Sequence, residues 1–142
     1  MEKLNIRVKK IDPRAEIPTY GTTGAAGFDF YAIDKTVIGP GETVRVSTGL
    51  AFEIPPGFYM QIVLRSSMGA RGFVSNPGII DSDYRGPVFV SLTNTGISWK
   101  QVEFGDRIAQ GIVLPRPRVA FVCVDELTAT ARGSGGFGST GK

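Results

Sequence analysis

The chain has 142 residues, 16 basic and 13 acidic, for a net charge of +3, with 19 glycines, one cysteine and no histidine. One domain fits that length. The missing histidine excludes Ser-His-Asp and Cys-His nucleophiles, imidazole bases and His-based zinc sites. Any catalysis therefore rests on carboxylates, hydroxyls, Tyr, Lys, Arg or an oxygen-held metal. A lone cysteine, no N-terminal apolar h-region and no run of ~18 apolar residues point to a reducing, cytoplasmic setting without a membrane partner. If a virus encodes the chain, that setting is the host cell interior. The mild positive charge suits anionic ligands and does not demand nucleic acid.

The hydropathy period is two almost throughout, so the predicted elements are strands. Leu4, Ile6 and Val8 alternate with polar residues and predict a first strand. Residues 43–48 alternate again, and 58–64 form a short apolar run suited to a buried strand. One or two helical turns are expected over 66–71. Further strands are expected over 87–95, 107–114 and 119–124. Gly-Pro-Gly at 39–41, Pro-Pro-Gly at 55–57, Asn76-Pro77-Gly78 and Asn94-Thr95-Gly96 supply the turns. Short strands at regular spacing predict an all-β sandwich or barrel. Residues 1–131 read as one β-domain and 132–142 as a glycine-rich arm.

Several clusters carry chemistry. Residues 133–138 fit G-x-G-x-x-G and 136–142 fit the start of a P-loop, yet the chain ends without the helix either motif needs. The segment is then either a flexible tail or an arm whose backbone N–H groups, with Arg132 and Phe137, wrap a polyphosphate and a base. In 76–86, Asp81 and Asp83 share a face if the chain stays extended, which is costly for like charges without a task. The alternative is a solvated Asp-Ser-Asp turn. Arg65, Ser66 and Ser67 follow an apolar strand and could meet phosphate, or could begin a helix. Asp29 lies between aromatics in a strand, as a site acid or a buried ion pair. Gln110 alternates with Ile108. Asp106 and Arg107 read as structural, and Trp99 and Cys123 as packing residues.

Five segments in order, AAGFDFYA (25–32), LRSSMG (64–69), NPGIIDSDYRG (76–86), GDRIAQ (105–110) and RGSGGFGSTG (132–141), closely resemble the trimeric dUTP pyrophosphatases (dUTPases). That resemblance implies a jelly-roll or distorted β-barrel in a homotrimer with shared active sites, the flexible arm of one copy closing over the site of another. It implies hydrolysis of dUTP to dUMP and pyrophosphate, keeping uracil out of DNA and supplying dUMP for thymidylate synthesis. Asp81 would be the general base that activates water against the α-phosphorus. Tyr84 would lie under the deoxyribose. Gly78, Ile79, Ile80 and Phe89 would read the uracil edge through their backbones. Asn76 stands one position after the family's usual asparagine. Arg65, Ser66, Ser67 and Gln110 fall on phosphate-contacting positions. Asp29 matches the acid that helps hold Mg²⁺, through water. Arg132, Phe137, Gly138, Ser139 and Thr140 match the arm over uracil and the γ-phosphate.

Some positions depart from the pattern. Ser67 replaces a common Gly, Gly111 a usual Leu, and Phe28 and Phe30 replace commoner Tyr and Leu. The related dCTP deaminases place a glutamate ten positions after the Asp81 equivalent; here that position is Ser91. A non-catalytic nucleotide sensor and a nucleic-acid-binding barrel are the other readings. The intact Asp81, Tyr84 and arm argue against the first, the scattered basic residues against the second.

Overall fold

Alternation becomes a strand where a face can be covered. Phe-Asp-Phe-Tyr forms β3 (Phe28–Tyr31), with Phe28 and Phe30 on one face and Asp29 on the other. The structure, a computed structural model, describes residues 3–76 and 78–141. Pro77 of the expected turn and Lys142 at the end of the expected arm lie outside the described residues.

Around β3 the remaining elements are β1 (Arg7–Lys10), β2 (Thr19–Tyr20), β4 (Thr36–Ile38), β5 (Thr43–Ser47), β6 (Leu50–Glu53), β7 (Phe58–Leu64), α1 (Ser66–Ala70), β8 (Phe73–Val74), β9 (Gly78–Ile80), β10 (Phe89–Asn94), β11 (Lys100–Val102) and β12 (Arg107–Pro115). A five-stranded sheet runs β2-β3-β12-β7-β9 and a three-stranded sheet β5-β10-β8, with two-stranded sheets β1-β6 and β4-β11 beside them. The strand pairs are antiparallel. This is the expected all-β sandwich of jelly-roll type.

Phe30, Leu50, Met60, Phe73, Leu92 and Ile108 are almost wholly buried between the sheets. Tyr20, Phe28, Phe30 and Phe52 meet edge to face in sequence, with ring centroids 5.8, 5.7 and 5.8 Å apart. Each such pair adds about 0.5–1.5 kcal/mol beyond its area. Gly111 makes room for two of these rings, because a Cβ there would stand 2.7 Å from Phe30 Cε2 and 2.8 Å from Phe28 Cζ. The three departures at 28, 30 and 111 are therefore one packing solution. Buried Asn94 ties β10 to the neighbouring sheet by donating to Ile38 O at 3.0 Å and Ser98 O at 2.8 Å.

Three expectations need correction. Residues 119–124 join none of the strand ladders among the described residues, and Val119, Phe121 and Val122 are 67%, 96% and 80% exposed. Their unbroken apolar run asks for a sheet edge that the single chain does not bring to them. Trp99 and Cys123 are exposed rather than packed. Asp81 and Asp83 do not share a face: β9 ends at Ile80, and Tyr84 N donates to Asp81 O at 3.2 Å, which turns the chain. No helix among the described residues is long and apolar enough to cross a membrane.

Candidate active site

One cleft lies at the β9 edge. β9 ends the five-stranded sheet, so one side of its backbone bonds β7 and the other carries groups not used by the ladder. Ile79, Ile80, Asp81, Tyr84, Pro87, Val88 and Phe89 line a cleft of about 220 Å³ there. Tyr84 Oη donates to Pro87 O at 3.0 Å, which folds the ring back across Gly86. A Cβ on Gly86 would stand 2.6 Å from Tyr84 Cζ, so the glycine lets the ring lie flat on the turn. Asp81 follows the strand directly and is exposed at the cleft. Asp83 lines a different groove, with Arg7, Glu53 and Arg85. Asn76 is exposed beside β9, and its carbonyl accepts the Ser75 hydroxyl at 3.1 Å.

A second, cationic cleft of about 370 Å³ is lined by Gly21, Thr22, Ala25, Asp29, Arg65, Ser66, Arg107 and Gln110. The β3–β12 register puts Asp29 opposite Gln110 and Phe28 opposite Gly111, so one strand pair serves the core on one face and the cleft on the other. Asp29 pairs with Arg65, Oδ1 to Nε 3.1 Å, and lies 3.7 Å from Arg107 Nη1. Arg65 Nη1 also donates to Arg107 O at 3.4 Å. Asp29 is a buried ion-pair acid that also lines this cleft. Ser67 is exposed one residue further into α1 and does not line the cleft. Arg107, taken from the sequence as structural, lines the cleft, as do Gly21, Thr22 and Ala25. Its period-two relation to Ala109 gave no hint, because a bulge between Arg107 and Ala109 re-aims it.

The arm touches neither cleft. Arg132 Nε donates to Gly135 O at 2.9 Å, and Gly133, Gly135, Ser139 and Gly141 close local turns. Phe137 is fully exposed with φ of 52°, a left-handed conformation costly for an aromatic residue. Gly138, with φ of 85°, follows it. Ser139 and Thr140 are exposed.

Register measures the separation of the clefts. Ile80 is level with Met60 and Asp29 with Val63, through Gln110. Three strand spacings across and three residues along put the start of the Asp81 turn about 17 Å from Asp29 in one chain.

A family model described as dUTPase matches residues 13–141. The deoxyuridine 5'-triphosphate nucleotidohydrolase of Wolinella succinogenes is 44% identical, over 100% of this chain and 97% of its own. That of Anaeromyxobacter sp. is 47% identical, over 96% and 95%. Among solved structures, the Staphylococcus bacteriophage 80alpha dUTPase with dUPNHPP superposes with a TM-score of 0.91 at 24% identity, covering 97% of this chain and 99% of that one. A dUTPase from phage phi11 of S. aureus, described with a structural Mg(II) ion, gives 0.81 at 21% identity, over 86% and 97%. Full-length relatives at this identity, a family match across nearly the whole chain and a shared jelly roll give one conclusion: the chain belongs to the dUTPase family, hydrolases of deoxyuridine 5'-triphosphate.

Proposed function

We propose that this chain hydrolyses dUTP to dUMP and pyrophosphate by attack of water on the α-phosphorus, with Asp81 as general base. The observation that carries it is the position of Asp81, at the end of a free strand edge and beside the Tyr84 ring in one cleft. The side of the Gly78, Ile79 and Ile80 backbone that faces away from β7, with Phe89 opposite, supplies donors and acceptors for the uracil edge. A cytosine edge would leave buried polar groups unpaired, which rejects it by up to roughly 10⁴-fold. Asn76 flanks that edge. Tyr84, pinned through its hydroxyl, forms the floor for the deoxyribose and leaves no space for a 2′-hydroxyl. Asp81 accepts a proton from water as its oxygen bonds to the α-phosphorus. The bond to the bridging oxygen breaks on the opposite side, and the leaving pyrophosphate carries away the electron pair.

Arg65, Ser66 and Gln110, which line the cationic cleft, bind the phosphates, and Arg107 joins them; Ser67, outside the cleft, has no place in this set. Among the described residues no three His, Cys, Asp or Glu side chains come together to hold a metal. Asp29 is the one carboxylate lining the cationic cleft, and it already faces two guanidinium groups. Such a donor set suits a hydrated Mg²⁺ carried on the triphosphate, which characteristically uses few carboxylates and keeps its waters. Asp29 would hold it through water, and the ion would supply charge neutralisation to the phosphates.

The turn that carries Asp81 starts about 17 Å from Asp29 in one chain, too far for the two to bracket a single phosphorus. This separation supports a site shared between copies, and the exposed apolar segment 119–124 supports its addition to a neighbour's sheet edge in a homotrimer. Arg132, Phe137, Gly138, Ser139 and Thr140 then close over another copy's site, where Phe137 gains a base to stack on. The test is pyrophosphate release from dUTP, with dTTP, dCTP and UTP as controls, with and without Mg²⁺. Asp81→Asn abolishes turnover and keeps binding of a non-hydrolysable analogue. A wild-type rate in that variant would remove Asp81 from its role, and ammonia release from dCTP would restore the deaminase reading.

A further inference from the structure

We propose that Arg85 is a positioning residue for the Asp81 carboxylate, acting through the backbone of the 81–86 turn; the proposal rests on the reading of Asp81 as general base. Arg85 Nη1 donates to Ser82 O at 2.7 Å and to Tyr84 O at 3.2 Å. Those carbonyls flank Asp83, the first of them directly after Asp81, in a turn whose own closure is the Tyr84 N to Asp81 O hydrogen bond at 3.2 Å. The other end of the guanidinium reaches Glu53 Oε1 at 3.9 Å, and Glu53 Oε2 pairs with Arg7 Nη1 at 3.0 Å. Arg7 and Glu53 are register partners in the β1–β6 sheet, whereas β9 belongs to the five-stranded sheet. Arg85 is thus a strut from one sheet to the turn that another sheet presents.

The side chains of Arg7, Glu53 and Arg85 are 84%, 43% and 55% exposed, so these ion pairs contribute little to folding stability. What they fix is geometry. A carboxylate that must hold a water in line with a phosphorus loses rate steeply when displaced, on the order of 100-fold for about 1 Å. One nitrogen of the fork, Nη1, bonds both carbonyls while the other, Nη2, faces Glu53. A lysine ammonium can serve the carbonyls but has no second nitrogen to face the carboxylate. The uracil-reading backbone of 78–80 is held by β7 and does not depend on Arg85. Loss of the strut therefore acts on turnover and spares binding.

The experiment measures kcat, KM, affinity for a non-hydrolysable dUTP analogue and thermal midpoint for Arg85→Met, Arg85→Lys, Glu53→Gln, the double variant Glu53→Gln/Arg85→Met, and Asp81→Asn in parallel. The expected result is a fall in kcat of roughly 10- to 100-fold in Arg85→Met, with analogue affinity and thermal midpoint unchanged. Arg85→Lys is intermediate, Glu53→Gln loses less, and the double variant is no worse than Arg85→Met, because both act through one strut. A wild-type kcat in Arg85→Met overturns the proposal, as does a loss that appears in analogue binding and thermal midpoint instead. If Arg85→Met does not fold, unchanged kcat in both Arg85→Lys and Glu53→Gln overturns it equally. Asp81→Asn separates the two readings: a dead Asp81→Asn beside a fully active Arg85→Met removes the strut and leaves the base. A fully active Asp81→Asn removes both.

Discussion

The Asp29 carboxylate, its side chain only 10% exposed, pairs with Arg65 Nε at 3.1 Å and so joins β3 to the start of α1. Asp29→Asn keeps the shape and removes the charge, which leaves two guanidinium groups facing an amide. Water reaches Arg65 and Arg107, so the expected destabilisation in urea is about 1–3 kcal/mol. The same variant raises the Mg²⁺ concentration needed for half-maximal dUTP turnover. A titration that superposes on wild type would take Asp29 out of the metal's surroundings.

Gly111 and the rings of Phe28 and Phe30 form a second coupled set. Gly111→Leu drives a side chain into both rings and destabilises by about 1–3 kcal/mol. Phe30→Leu in the same chain frees space into which the Phe28 ring turns. The double variant then recovers part of the loss, with a coupling above about 0.5 kcal/mol. Strict additivity of the two changes in chemical denaturation would mean the three positions are independent.

Sharing of sites between copies has a direct consequence for mixtures. One variant carries Asp81→Asn; the other ends before Arg132. Each is inactive alone, and the shortened chain still assembles. Co-refolded, they form sites with Asp81 from one chain and the arm from another, and dUTP turnover returns. Persistent silence of the mixture, with mixed assemblies verified by mass, would place base and arm in the same chain's site.

At the start of the chain, the Arg14 guanidinium hydrogen-bonds Asp12 and holds its carboxyl below the usual carboxylate range, helped by a bond from Arg14 N at 2.8 Å. A carboxyl depressed in the folded state stabilises above its unfolded pKa, and that contribution is lost as pH falls through the folded value. Asp12→Asn should therefore lower the thermal midpoint near neutral pH, and the gap to wild type should close on acidification. A gap that stays constant from about pH 7 to about pH 3 would deny the pair any part in stability.

How far the sequence carries depends on the residue. The apolar run 58–64 became β7 and the expected turn of helix became α1, because both signals are local. Asp81 and Tyr84 stood out because a carboxylate and a ring follow an apolar pair directly. The shared face of Asp81 and Asp83 failed because period two holds only while a strand lasts, and β9 is three residues long. Arg107 was missed because a bulge shifts its register. The strand expected over 119–124 has the right pattern, but its partner edge is a matter of assembly, which periodicity does not encode. The distance between the clefts was invisible for a related reason: it is set by which strands are neighbours, β9 and β3 standing at opposite sides of β7 and β12.

The glycine beneath two phenylalanine rings also constrains how this sequence can change over generations. While both rings stand, a leucine at 111 has nowhere to go. If a ring shrinks first, the core holds a void until the leucine arrives. Neither order is free, so a lineage that has taken Gly111 with Phe28 and Phe30 keeps all three or crosses a less stable intermediate to leave them. The three positions should therefore be inherited as a block, and grafting one of them alone from a relative meets the crowding or the void that the other two leave.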